Sequence, residues 1–106
     1  MDLVSTQAKG KYGHPLPREG MAQHRREIGL RIKRIHGHVH AISEMLDEGR
    51  SYSEIVHQIA AVRSALDGAI QVIVDDLVED CVTRLDRKEP LEATLQELQE
   101  VVGKLR

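Results

Sequence analysis

The nitrogen and sulfur side chains able to bind a transition metal are one thiol and six imidazoles: Cys81, His14, His24, His36, His38, His40 and His57. His36 and His40 stand four residues apart, a spacing that puts both rings on one face of a helix and can bind a divalent cation if further ligands come from elsewhere. His38 points the other way, and the alternative for the pair is a solvated or phosphate-facing surface. Cys81 falls on an apolar stripe, where a small buried hydrophobe is the plain alternative to a ligand. A lone cysteine forms no intramolecular disulfide. No nucleophile–base pair and no glycine-rich phosphate loop is present, so the chain is read as a non-enzyme.

The second set of chemically active side chains is cationic. Between Arg18 and His40 lie Arg18, Arg25, Arg26, Arg31, Lys33 and Arg34 against only Glu19 and Glu27, whereas acidic residues dominate beyond Ser51 and the whole chain carries −2. A basic segment in an acidic chain points to an anionic partner. With Tyr12 and Tyr52 the only aromatic residues, stacking on single-stranded bases is disfavoured, and double-stranded DNA held by its phosphates is the better match. A solvated helix face, with intrahelical pairs such as Arg34–His38, is the competing explanation.

The elements that must position these residues read as helices. Ile28, Ile32, Ile35, Val39, Ile42 and Leu46 recur in steps of four and three, which predicts a first helix from about Met21–His24 to Asp47, with Gly49 at its left-handed end. Ser51-Tyr52-Ser53-Glu54 fits a capping box opening a long second helix, striped by Ile55, Ile59, Val62, Leu66, Ala69, Ile73, Leu77 and Cys81. Its interior Gly68 is a weak point that permits close packing. Pro90 is expected as the first residue of a third helix carrying Leu91, Leu95, Leu98, Val102 and Leu105. Residues 1–20, with Gly10, Gly13, Pro15, Pro17 and Gly20, read as a flexible arm before a helical domain spanning residues 21–106.

Helices of about thirty residues are roughly 45 Å long, and two of them with a short third cannot cover their own stripes. Self-association is therefore expected, through a seam that includes Ile59, Val62, Leu66 and Ile73. No apolar run of membrane-spanning length and no secretory leader is seen, which leads to the expectation of a cytoplasmic protein without a membrane partner.

Three stretches resemble the CsoR/RcnR/FrmR family of metal- or formaldehyde-responsive transcriptional repressors: the basic segment Arg31-Ile32-Lys33-Arg34-Ile35-His36-Gly37-His38-Val39, the Ile42-Ser43-Glu44-Met45-Leu46 that follows, and Gln58-Ile59-Ala60-Ala61-Val62-Arg63-Ser64-Ala65-Leu66. Their mutual spacing extends the likeness from about Arg25 to Arg106. The resemblance implies an all-α, three-helix protomer, two of which form an antiparallel four-helix-bundle dimer, with a dimer of dimers as the usual tetramer. It implies repression by binding double-stranded DNA, without a helix-turn-helix, through basic residues, here Arg25, Arg26, Arg31, Lys33, Arg34 and Arg63, and release by a metal ion or another small effector. The family's ligand positions fall on Tyr52, Leu77 and Cys81, so Cys81 is the one ligand-type side chain kept and the metal site is degenerate. Tyr52 is a poor ligand for a soft metal and Leu77 is none. Formaldehyde or persulfide sensing would need a cysteine at position 52 and does not transfer. Some family members recruit an N-terminal histidine, which admits His24 beside Cys81. The alternatives are a metal-binding or redox-responsive helical module using His36, His40 and Cys81, or a structural helical interaction protein, either one without a DNA role.

Overall fold

The computed structural model describes residues 19–106, with side chains from Gln23 onward. It contains three helices, α1 (Glu19–Asp47), α2 (Tyr52–Asp86) and α3 (Glu92–Lys104), and no strand among the described residues. The arm expected over residues 1–20 lies outside the described residues up to position 18; Glu19 and Gly20, assigned to it by their composition, are already helical.

Local chemistry sets the helix ends. α1 stops at Gly49, whose φ of 76° carries the chain through the left-handed region; Arg50 N–H donates to Met45 O and Gly49 N–H to Leu46 O, closing a Schellman motif. α2 opens on the expected capping box. Glu54 N–H donates to Ser51 Oγ at 3.2 Å, and Ser51 N–H donates back to Glu54 Oε1 at 3.3 Å. The Arg50 guanidinium, bonded to the same carboxylate, holds Glu54 below its ordinary carboxyl range, with the Ser51 backbone bond acting in the same direction. α2 ends on a second Schellman turn at Lys88, which takes the left-handed conformation without being glycine. Pro90 is not the first residue of α3. Leu91 has a non-helical φ of −125° and acts as N-cap, and its carbonyl accepts the first helical bond, from Leu95 N–H, so the helix starts two residues after the proline.

The chain divides into two compact units. In the unit Arg25–Ile73, α1 and α2 run antiparallel across the short turn between them. Ile35 and Ile42 pack with Ile55 and Val62 as its core, and Met45 and Ala65 close the side. The half-buried His38 Nε2 lies 2.7 Å from Gln58 Oε1 and ties the two helices together, so the intrahelical pairing of His38 with Arg34 is not what forms. On each helix the apolar residues three before or four beyond these core positions stay open: Ile32, Val39 and Leu46 on α1, Ile59 and Leu66 on α2, each 41–51 % exposed. An antiparallel pair has an approximate two-fold axis normal to its plane, which places both open ridges on one face of this unit. Val62, expected in the self-association seam with Ile59 and Leu66, is instead buried inside the protomer, because it occupies the position facing Ile35 and Ile42. Ile73 is half-buried.

The other unit joins the start of α1, through His24, to residues 74–106. Among its described residues, Leu77 is the buried apolar one, and the buried polar ones are Asp76, Asp80 and Thr94. Asp80 Oδ2 accepts a bond from Thr94 Oγ1 at 2.8 Å and another from Arg84 Nε at 2.9 Å, while Arg84 Nη1 reaches Pro90 O. A charged carboxylate buried to this degree requires such donors, and here they lock α3 onto the end of α2.

Candidate DNA-contact face and metal site

Of the six cations singled out in the sequence, Arg25, Arg26, Lys33, Arg34 and Arg63 are exposed, and none has a carboxylate within ion-pair distance among the described residues. Arg31 differs. It is half-buried, bonds Glu27 at 3.4 Å, and lays its guanidinium beside Gly68, where an added Cβ would sit 3.4 Å from Nη1. The glycine in the interior of α2 thus lies against an arginine from α1. At 100° per residue, Arg26 and Lys33 project roughly opposite Ile35, Arg34 lies on one flank of α1 and Arg25 on the other. The cations therefore wrap around the outer half of α1 and do not form one stripe on the protomer.

The metal-ligand candidates separate clearly. Tyr52, the first residue of α2, is 80 % exposed; Leu77 is buried; Cys81 is half-buried. A phenol, a hydrocarbon and a single thiolate do not make a soft-metal shell, so these residues do not fit the thiolate-based site that the family resemblance implies. His36 and His40 are exposed, and His40 pairs with Glu44 at 3.6 Å, a contact within one helix. His57 lines an open recess of about 330 Å³ with Met45, Arg50, Ser53, Glu54 and Gln58.

His24 is brought to carboxylates and not to Cys81. Its Nε2 lies 3.0 Å from Glu79 Oε1 and 3.8 Å from Asp76 Oδ1. Among the described residues these three are the His/Cys/Asp/Glu group close enough to share one ion, with all ligand atoms within 4.8 Å of one another. Asp76 and Glu79 are three apart and share a face of α2. Sequence reading singled out His24 but passed over Asp76 and Glu79, which stand in an acidic run, Asp75-Asp76 and Glu79-Asp80. The available signal was the i, i+3 spacing; the position of His24 across from it had none.

The described residues form an all-helical chain with an exposed basic first helix, and the comparisons with known proteins place it in the class of transcriptional regulators. Residues 24–104 match the model of a family described as a metal-sensitive transcriptional repressor. The chain is 35 % identical over 78 residues to the transcriptional repressor RcnR of Escherichia coli K12, covering 70 % of this chain and 87 % of RcnR. It is 32 % identical over 65 residues to the copper-sensing transcriptional repressor RicR of Mycobacterium tuberculosis, covering 61 % and 68 %. The structure of the nickel-responsive transcriptional regulator InrS superposes with a TM-score of 0.66 at 34 % identity, covering 76 % of this chain and 91 % of InrS. The chain belongs to the family of metal-sensitive transcriptional repressors, and it is not an enzyme. No described helix is long and apolar enough to cross a membrane.

Proposed function

We propose that this repressor binds double-stranded DNA as a homo-oligomer, through phosphates, and leaves its operator when a metal ion binds. The observation that carries the reading is the contrast in pairing. Among the described residues, Arg25, Arg26, Lys33, Arg34 and Arg63 stay exposed without acidic partners, although carboxylates elsewhere take up Arg50 and Arg84. Unpaired cations are available to displace counterions from a phosphate backbone. Because these cations wrap around α1, a continuous basic surface needs more than one copy of the chain. The open ridge of Ile32, Val39, Leu46, Ile59 and Leu66 supplies a means of association, since large exposed apolar patches mark contact surfaces. A second copy laid on that face gives the antiparallel four-helix dimer, and pairing of dimers gives a tetramer.

The named relatives answer to copper and to nickel, so relatedness alone does not carry a metal identity to this chain. The DNA reading is tested by mobility shift on the DNA upstream of the protein's own gene, across a salt series. Lys33→Ala or Arg26→Ala should weaken binding to all sequences alike and lower the salt slope by roughly one unit. Arg31→Ala should do less, since Glu27 already engages that guanidinium. Unchanged affinity when Arg25, Arg26, Lys33, Arg34 and Arg63 are all replaced would refute it.

A further inference from the structure

Of the buried polar side chains, Asp80 and Thr94 bond each other, whereas Asp76 faces His24. Ligand atoms at about 2.0–2.2 Å from a cation lie about 3.0 Å apart at a right angle and about 3.4 Å apart at the tetrahedral angle. The 3.0 Å and 3.8 Å separations from His24 Nε2 bracket those values, and all three ligand atoms lie within 4.8 Å of one another, within reach of one ion by side-chain rotation. Exposure is graded across the site: the side chain is 7 % exposed at Asp76, 34 % at His24 and 61 % at Glu79. That sequence gives a fixed carboxylate at the base, a partly shielded imidazole, and a carboxylate at the mouth past which an ion can enter. Two carboxylates offset the charge of a divalent cation.

We propose that His24, Asp76 and Glu79 bind a divalent first-row cation, and that this is the effector site in place of a cysteine-based one. The effector role rests on the reading of the chain as a DNA-binding repressor released by a metal; the binding site itself does not. One imidazole nitrogen and two carboxylate oxygens suit Zn(II) or Co(II), and the lack of thiolate disfavours Cu(I). Three protein ligands leave positions for water, which suits an ion that must come and go. The coupling is short in sequence: His24 immediately precedes Arg25 and Arg26 on the continuous α1. Holding His24 against α2 restrains the helix turn that bears two phosphate-contact candidates.

The test uses the full chain stripped of metal by a chelator. Co(II) is titrated and followed by its visible absorption, and Zn(II) and Cu(I) are measured by competition with chromophoric chelators, on the parent and on His24→Ala, Glu79→Gln and Cys81→Ala. The expected result is one Co(II) or Zn(II) per chain and no tight Cu(I). Affinity should fall by roughly 100-fold or more in His24→Ala and in Glu79→Gln, and stay unchanged in Cys81→Ala. Glu79 is exposed, so its isosteric replacement leaves the fold intact, and far-UV circular dichroism checks this. Absence of uptake by the parent would mean that His24 and Glu79 are a plain hydrogen-bonded pair and would overturn the site. Uptake lost in Cys81→Ala but kept in His24→Ala would overturn it too. Mobility shifts with metal-free protein run alongside. Metal-free protein that fails to bind DNA refutes the repressor mechanism and leaves the site standing; Co(II) uptake that leaves DNA affinity unchanged overturns the effector role alone.

Discussion

Leu66→Asp should dissociate the proposed homo-oligomer without dismantling the antiparallel core. Leu66 is 41 % exposed in the protomer, and Ile32, Val39, Leu46 and Ile59 are 45–51 % exposed on the same face. Full burial of such a side chain contributes about 1.5–3 kcal/mol, so covering the open part of each gives about 1 kcal/mol. Five residues on each of two copies amount to about 10 kcal/mol. That is comparable with the roughly 4–15 kcal/mol cost of association, so assembly depends on nearly the whole ridge. The aspartate removes about 2 kcal/mol of apolar burial over two copies and forces two carboxylates out of water at several kcal/mol each. A total near 8 kcal/mol corresponds to about six orders of magnitude in dissociation constant. Within the protomer the same change falls on an exposed helix position and costs about 0.5 kcal/mol in helix propensity. Sedimentation velocity over a concentration series, with far-UV circular dichroism on the same samples, separates lost assembly from lost folding. Val62→Asp is the contrast: it puts a charge among Ile35, Ile42 and Ile55 and should cost the helical signal itself. A Leu66→Asp protein with the mass of the parent at every concentration, or a parent that sediments as a monomer at tens of micromolar, would refute the assignment of this face.

Three further outcomes follow from the same contacts. Thr94→Val removes a hydroxyl donor from the buried Asp80 carboxylate, which should cost about 1.5–3 kcal/mol and lower the melting temperature measured at fixed protein concentration, while Thr94→Ser stays close to the parent; equal losses in the two variants would count against the bond. Glu54 has a folded pKa below its ordinary value, so its contribution is present above the unfolded pKa near 4.5 and is lost as the pH falls through the folded value; amide exchange in the first turn of α2 should speed up over that acid window in the parent and not in Glu54→Gln. Lys33→Ala should lower DNA affinity and its salt slope more than Arg31→Ala does, and the reverse order in a mobility-shift titration would show that Glu27 does not occupy Arg31.

Sequence by itself determined the helical class, the count of three helices, the capping box at Ser51–Glu54 and the Gly49 terminus, because each depends on residues within a turn or two of one another. The four-three spacing of Ile28 through Leu46 identified the apolar stripe, and the exposed basic residues of α1 were legible in the local surplus of positive charge. The same local reasoning misplaced two boundaries: Pro90 looked like a helix start, but Leu91 adopts the capping conformation, and Gly20 looked like arm but is helical. Which half of each stripe is spent inside the protomer was decided by packing alone. Val62 and Ile59 are equally apolar and three residues apart, yet one faces Ile35 and Ile42 and the other faces outward, because a helix stripe of a/d type spans two sides of a seam. Tertiary structure also decided the fate of the charges. Asp76, Asp80 and Glu79 are alike in sequence as members of one acidic run, but Asp80 meets Thr94 and Arg84 whereas Asp76 and Glu79 meet His24 from more than fifty positions away. Contacts of that separation leave no periodic trace in a single sequence. They arise only when the start of α1 and the second half of α2 are folded together, and it is there that His24, Asp76 and Glu79 converge.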